Sequence, residues 1–346
     1  MNYEKFDHGN KKVFLVDMKK EKNKIFSEIV TKGLDSFICK QKNICIIVNK
    51  KGYSAGQICE DCGYVPKCEK CDVSIAYHKN PGGDFYGICH ICKKQYNHYT
   101  TCPNCGGFSI NNYGFGTEKI QEIIYKKYGK KGIIIESQTA NSKKKIQKRK
   151  EQIGKENIII GTSILSTPFQ NIKFDLLIFI NADIGLNIPD FQSNYKNFLF
   201  LYETISNYDT NTIIVQSFKS ENNCIRSACK LDLEGFKLVE LEYRKSFQYP
   251  PFGYLGVILY KNEVEERVFN GINKLYQELL YLKESGEYGE IEIYPTPPLI
   301  YKIYGKYRYN IIVKGKQVNK FLETAFVTLK LNQRGFKIDP NPENLI

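Results

Sequence analysis

The stretch that decides the reading runs Cys59-Glu60-Asp61-Cys62-Gly63, Cys68-Glu69-Lys70-Cys71-Asp72, Cys89-His90-Ile91-Cys92, Cys102-Pro103-Asn104-Cys105-Gly106. Two thiols separated by two residues share one tight turn and offer two of the four tetrahedral sulfur ligands that Zn²⁺ prefers. Four such pairs therefore amount to two closed structural sites, and two zinc ions per chain are the expected cofactor. The 17 residues between Cys71 and Cys89 lie within the zinc-ribbon range. Gly63 and Gly106 follow the second cysteine of their pairs, where the backbone must turn to aim amides at sulfur. An iron–sulfur cluster and disulfides are the competing uses of such a set. Spacing alone allows the pairs to combine sequentially or nested.

Residues 1–12 are polar and charged, without the apolar run of a secretory signal, and no window reaches the roughly 20 apolar residues of a membrane span. The expectation is a cytoplasmic chain that keeps its thiols for metal. Cys39, Cys45, Cys224 and Cys229 stand in apolar surroundings at irregular spacing and read as small core residues. The formal net charge is +13. Eight thiolates against two divalent ions remove four charges and leave about +9. That suits a polyanion, because cations that neutralise phosphates release counterions without reading sequence. Only six of the 50 basic residues are Arg, so a compositional bias toward Lys explains part of the excess equally well.

Outward from the cysteines, short apolar runs alternate with helical periodicity. Strands are expected at 13–17, 44–48, 133–136, 158–162, 176–181 and 212–217. Helices are expected near 25–38, 117–128, 143–152 and 194–205. Continuous Ile, Val and Leu runs joined by helices indicate a parallel sheet covered on both faces. Residues 1–52 and 114–220 thus form one α/β domain, with the cysteine block inserted at 53–113. Beyond 221, helices at 221–230 and 232–245 lead to Tyr249-Pro250-Pro251-Phe252. The strand-helix-strand order that follows, repeated once, gives an α+β domain at 221–346 with split βαβ character.

The run Asn49-Lys50-Lys51-Gly52-Tyr53, the four cysteine pairs with His78, and Gly114-x-Gly116-Thr117-Glu118-Lys119 together resemble the PriA family of primosomal replication-restart helicases. The resemblance continues, in family order, through Gly161-Thr162-Ser163, Ala182-Asp183-x-Gly185-Leu186 with Pro189-Asp190-Phe191, Tyr249-Pro250-Pro251-Phe252, Gly305-x-Tyr307-Arg308-Tyr309 and Asp339-Pro340. It implies that the chain corresponds to the family's C-terminal half: a second RecA-like helicase lobe, a zinc block projecting from it and a C-terminal DNA-binding domain. It also implies nested ligand sets, Cys59, Cys62, Cys102 and Cys105 for one ion and Cys68, Cys71, Cys89 and Cys92 for the other. The outer set would close the base of a hairpin whose tip carries the inner set. His78 and His90 are alternative ligands by type, but eight cysteines leave them to packing or solvent.

The departures bear on activity. No Gly-x4-Gly-Lys-Ser/Thr phosphate loop occurs, and the family's amino-terminal region and first lobe have no counterpart here. Where the family carries an arginine-rich motif this chain has Leu201-Tyr202-Glu203-Thr204-Ile205-Ser206-Asn207-Tyr208-Asp209, and no Arg stands between Arg149 and Arg226. The family's Gly-Thr-Gln with a following Lys-Gly has become Gly161-Thr162-Ser163 and Ser166-Thr167-Pro168-Phe169. An arginine finger is worth roughly 10³ to 10⁵ in rate, and Lys replaces its planar fork poorly. The motifs are degenerate, and no ATP hydrolysis is expected.

Three functions remain. The first is a motor-silent zinc protein of replication restart, nucleoid-associated, binding forked or single-stranded DNA and primosome proteins, with no membrane and no small-molecule substrate. Lys302, Lys306, Tyr307 and Arg308 are its candidate DNA contacts, because they put cations beside aromatics; the competing reading is a half-buried strand with a solvated face. Tyr77, His78, Tyr86 and His90 read either as an aromatic tip or as filler for a ribbon without a core. The second is a zinc-ribbon interaction module without DNA binding, and the third is lobe two of a split helicase. Gly114 to Lys119 looks like a phosphate loop in which Thr117 caps a helix, but lacks P-loop spacing and reads as structural. Asp183 and Asp190 follow a strand end, where ligands bind open α/β sheets, yet a capping or hydrogen-bonding role is expected.

Overall fold

A computed structural model of the chain describes residues 2–48, 54–80, 82–135, 151, 157–162, 172–286 and 288–345. The expected motif at 49–53, the basic helix over 143–152 apart from Glu151, and the segment 163–169 lie outside the described residues.

The chain opens with a hairpin, β1 (Tyr3–His8) and β2 (Lys11–Asp17), turned at Gly9. Helix α1 (Glu28–Cys39) starts where Ser27 Oγ accepts the Val30 amide, and β3 (Ile44–Ile47) follows. The inserted block holds β4 (Gly56–Cys59), β5 (Ala76–Lys79), β6 (Phe85–Ile88), β7 (Gln95–Asn97) and β8 (Ile110–Tyr113). The α/β alternation then resumes with α2 (Thr117–Tyr128), β9 (Ile133–Ile135), β10 (Ile158–Gly161), β11 (Leu176–Phe179), α3 (Ser193–Asn207) and β12 (Thr212–Ser217). Two further helices are α4 (Asn223–Lys230) and α5 (Leu233–Ser246).

Seven strands form one sheet in the order β1-β2-β12-β11-β3-β10-β9, parallel throughout except for β1. Every residue of β3, β10 and β11 is buried, which is why those runs read as uninterrupted and without a polar side chain: a parallel sheet hides both faces. Val30 and Leu34 of α1 with Ile120 and Ile124 of α2 cover one face. Phe198 and Leu201 of α3, Cys224 and Ile225 of α4 and Phe236 of α5 cover the other, with the Phe198 and Phe236 rings stacked 3.8 Å apart. Sequence reading assigned α4 and α5 to the C-terminal part from residue 221. The buried apolar residues of α4, and Phe236 of α5 stacked on α3, belong to the core of the first sheet, and the separate C-terminal core is built from residues after Ser246.

Strand β1 escaped the sequence reading because its two apolar residues, Tyr3 and Phe6, stand three apart with Glu4 and Lys5 between them, so they pack on opposite faces of an edge strand and give no period-two pattern. Cys45, Cys224 and Cys229 are buried as expected, whereas Cys39, on the last turn of α1, is exposed; its apolar neighbours in sequence point elsewhere on the helix.

The remaining elements are β13 (Tyr254–Asn262), α6 (Glu265–Ser285), β14 (Glu292–Thr296), β15 (Lys302–Ile303), β16 (Lys306–Gly315), α7 (Val318–Thr328) and β17 (Lys337–Asp339). They form an antiparallel sheet ordered β14-β16-β13-β17, with β15 paired to β16. Ile272, Leu275 and Leu279 of α6 and Phe321, Leu322 and Ala325 of α7 pack with Ile258, Ile311 and Val313 of the strands in a separate core. The terminal segment ties the two cores together, since the Leu345 amide donates to Asp190 Oδ2 at 2.7 Å and Lys196 Nζ to the Glu343 carbonyl at 3.1 Å. Among the described residues no helix is long and apolar enough to cross a membrane.

Gln216, fully buried at the end of β12, accepts the Ser27 amide at 2.7 Å and donates to the carbonyls of Ile25 at 2.8 Å and Ile180 at 3.0 Å. It therefore fixes the start of α1 against the sheet. Gln216→Leu leaves the buried Ser27 amide and Ile180 carbonyl without this partner, each a penalty of about 1 to 3 kcal/mol, and frees the half-buried Ile25 carbonyl. Urea denaturation of the variant should show a loss of at least about 2 kcal/mol; a loss below roughly 0.5 kcal/mol would show that water reaches these groups.

Candidate metal centres

Each cysteine pair folds into the same small loop. The amide of the fourth residue after the leading cysteine returns to that cysteine's carbonyl: Gly63 to Cys59 at 2.8 Å, Asp72 to Cys68 at 2.8 Å, Lys93 to Cys89 at 2.9 Å and Gly106 to Cys102 at 2.9 Å. That residue sits in the left-handed region in all four loops, with φ of 74° at Gly63, 46° at Asp72, 63° at Lys93 and 73° at Gly106. Glycine meets the requirement freely in the outer loops, while the inner ones use Asp72 and Lys93. The loops aim amides at sulfur: Tyr64 at Cys62, Gly107 at Cys105, Lys70 at Cys68, Ile91 and Cys92 at Cys89.

The pairs come together nested. Sγ atoms of Cys59, Cys62, Cys102 and Cys105 lie within 4.8 Å of one another, as do those of Cys68, Cys71, Cys89 and Cys92. The separations are 3.7 Å for Cys59–Cys105 and Cys62–Cys102 and 3.6 Å for Cys68–Cys92. A tetrahedron with Zn–S bonds of about 2.3 Å has edges of roughly 3.8 Å, whereas a disulfide needs about 2.05 Å. The donor set fits a thiophilic tetrahedral cation and does not fit disulfides.

Electrostatics point the same way. Cys62 is drawn down to about 6, first by the Asn104 side-chain amide and then by the Tyr64 backbone amide. Burial opposes ionisation of Cys68, yet the Tyr96 hydroxyl, donating at 3.0 Å, and the Lys70 amide bring it to about 7. Cys105 is pushed up to about 12: the Gly107 amide favours its thiolate, but the sulfur of Cys62, burial and the sulfur of Cys102 outweigh that. Burial likewise lifts Cys89 to about 12. Sulfurs this close share protons unless a cation lets all four carry charge.

The two centres differ in surroundings. Cys68, Cys71 and Cys89 are buried, while Cys62 and Cys105 of the outer set are exposed, as is Phe108 three residues beyond Cys105, at 83 %. The inner set, which the resemblance placed at the tip of the hairpin, is thus the more buried of the two. The inner half is held on two sides. His78 Nδ1 meets Glu118 Oε1 at 2.8 Å and the Lys79 amide donates to Glu118 Oε2 at 3.0 Å, joining β5 to the first turn of α2. On the other side, the Tyr304–Gly305 turn lies on its loops.

Nor do the block's aromatics form a tip. Tyr77 is fully buried, and His78 lies between Tyr86, stacked at 5.6 Å, and His90. Tyr77 fills the interior of a block too small for a core of its own, with His78 and Tyr86 half-buried beside it, while His90 stays exposed. His98 and Gln57, which drew no notice in the sequence, join the halves: Gln57 Nε2 lies 3.0 Å from His98 Nε2 and donates to the Tyr99 carbonyl at 2.8 Å, while Phe85 stacks on His98 at 4.9 Å. Nothing in their spacing marks them.

The other candidates take structural places. Gly116, not Thr117, caps α2, and Thr117 is buried in its first turn. Gly114 has φ 69°, and a Cβ there would lie 2.8 Å from that of Ala55, so this glycine allows the two neck strands of the insertion to close. Buried Asp183 accepts from Ser217 Oγ at 2.5 Å and the Phe218 amide at 2.6 Å; Asp190 holds Gln192 and Leu345. Of Lys302, Lys306, Tyr307 and Arg308, Lys306 alone is exposed, 3.8 Å from Glu263. Lys302 Nζ sits 4.5 Å from the Tyr307 ring centre, and half-buried Arg308 donates to the Ile300 carbonyl at 3.3 Å.

Metal analysis of the purified chain should find two divalent ions per molecule. Replacing Cys71 and Cys89 together by Ser should leave one. One ion in the unaltered chain, or two in that variant, would contradict two four-sulfur centres.

No family model matches the sequence. The chain is similar to the replication restart protein PriA of Thermotoga maritima, 28% identical over 331 residues that make up 93% of this chain and 43% of the relative. Those of Bacillus subtilis (28% identical, 95% of this chain, 42% of the relative) and Borreliella burgdorferi (29%, 96% and 51%) match to the same extent. The chain spans about half the length of the curated relatives it matches, consistent with their C-terminal half. Along nearly its whole length, this chain resembles one half of replication restart protein PriA.

Proposed function

We propose that the chain is a zinc protein of DNA replication restart that binds forked or single-stranded DNA and restart proteins and does not hydrolyse ATP. The observation that carries this reading is the similarity to replication restart proteins over more than nine-tenths of the chain. In this reading the seven-stranded sheet is the second RecA-like lobe (1–52 and 114–220), the block 53–113 holds Zn²⁺ at Cys59/Cys62/Cys102/Cys105 and Cys68/Cys71/Cys89/Cys92, and the C-terminal sheet is a split-βαβ DNA-binding domain. Zinc supplies structural closure, and the sulfurs leave no open coordination position for catalysis.

Binding would rest on charge and stacking. A basic chain gains affinity by displacing counterions from phosphates, and Lys306 with the Lys302–Tyr307 pair offers cations against an aromatic face. Lack of hydrolysis is supported by the arginine-free stretch between Arg149 and Arg226 and by Asp183, whose two oxygens already accept from Ser217 and Phe218. A second reading, a protein-contact module, is favoured by one feature: Phe108, three residues beyond exposed Cys105, stands almost bare to solvent.

Fluorescence anisotropy with a forked oligonucleotide separates the two. Affinity should rise steeply between 200 and about 50 mM salt and fall several-fold on Lys302→Glu with Lys306→Glu. A Kd weaker than about 10⁻⁴ M at about 50 mM salt, below ordinary non-specific binding, would remove the DNA reading in favour of the protein-contact one. Phosphate release with ATP and the same fork should stay at background.

A further inference from the structure

The inner metal centre is not finished by its own block. In the outer centre, amides two residues beyond the second cysteine point back at its sulfur, Tyr64 at Cys62 and Gly107 at Cys105. Cys71 occupies the corresponding place in the inner centre, and the backbone amide directed at its sulfur belongs to Tyr304, in the C-terminal sheet. Two further bonds accompany it. The Gly305 amide donates to the Lys70 carbonyl at 2.7 Å, and the Tyr304 hydroxyl to the Ile91 carbonyl at 3.1 Å. Lys70 lies between Cys68 and Cys71, Ile91 between Cys89 and Cys92. One turn therefore spans both loops of the inner centre.

The turn is built to hold that position. Tyr304 and Gly305 have φ of 50° and 83°, and Ile303 pairs with Lys306 on either side, so β15 and β16 are joined by a two-residue turn with both central residues left-handed. A Cβ on Gly305 would meet nothing, so its glycine serves the backbone conformation and not a close approach. Two consecutive amides thereby face the inner loops.

We propose that Tyr304 and Gly305 are positioning residues of the inner metal centre, supplied across the fold, and that occupancy of this centre sets the placement of the Lys302–Arg308 hairpin. This rests on the reading that the inner sulfurs hold Zn²⁺. Four thiolates around a divalent ion carry net negative charge, and amide donors to sulfur stabilise it. Coupling of this kind is reciprocal: whatever the hairpin adds to metal affinity, the metal adds to hairpin docking. The outer centre, which has no such contact among the described residues, should be independent.

The chain loaded with ¹¹³Cd²⁺ gives one resonance per centre, and a chelator titration reads the affinity of each. Two resonances in the unaltered protein are required first; fewer would sink the metal reading itself, and would be seen before any variant is compared. In Tyr304→Ala with Gly305→Val, where a β-branched side chain opposes the left-handed turn, the inner centre should bind roughly 10-fold to 100-fold more weakly, as for lost outer-shell donors, with the outer centre unchanged. Equal loss at both centres, or none, overturns the proposal. Hydrogen exchange on the unaltered full chain decides independently of whether the variant folds. Stripping the inner ion should expose the amides of 303–307 while β13 stays protected, and unchanged protection at 303–307 refutes the link.

Discussion

Four sulfur atoms within 4.8 Å of one another pose a charge problem that the inserted block must solve twice. As neutral thiols they make weak contacts; as thiolates they repel; around a divalent cation they become the strongest cross-links in the chain. The block has little else. Its outer half buries Cys59, Cys102 and Ile110 with Tyr64 and Tyr99 against them, and its inner half gathers Val73, Ile91 and Tyr96 around the cysteines. Burial of a few such side chains contributes about 1.5 to 3 kcal/mol apiece, against about 10 to 16 kcal/mol for a structural zinc site. A cation held at each four-sulfur group would thus outweigh the block's apolar burial.

The seven-stranded sheet has the opposite economy. It is covered on both faces, and its stability comes from apolar layers that need no metal. The block can therefore leave after β3 and return before α2 without disturbing the sheet, provided the neck strands close. Gly114 permits that closure, and Glu118, on the first turn of α2, takes hold of His78 and the Lys79 amide. A carboxylate at a helix start is favourably placed for the purpose, since the positive end of the helix dipole lies there.

How much of this was legible depended on how local each cause is. Strands such as Ile158–Gly161 and Leu176–Phe179 are readable because burial on both faces writes an unbroken apolar run. Strand β1 and the two-residue β15 are not, because the two apolar residues of this charged edge strand fall on opposite faces and a two-residue strand has no period. The metal-binding cysteines are readable from spacing, since one turn must present two sulfurs. Thr117 was misplaced as a cap by one residue because cap and first-turn positions differ only in backbone angle. That Cys224 and Ile225 of α4 and Phe236 of α5 join the core of the first sheet was equally hidden, as an amphipathic helix specifies that it has an apolar face and not which core receives it.

The amino-acid sequence by itself determined the parallel α/β alternation, the interruption of it at 53–113 and the presence of eight thiols in metal-binding turns, because each follows from residue types at fixed short spacing. Only the tertiary structure decided that the pairs combine as nested sets, that the inner set is docked while the outer leaves Cys62 and Cys105 exposed, and that Tyr304 and Gly305 complete the inner loops. Those are contacts between backbone groups and sulfurs far apart in the chain. Backbone amides are the same at every residue, so no side-chain pattern records where one of them will point.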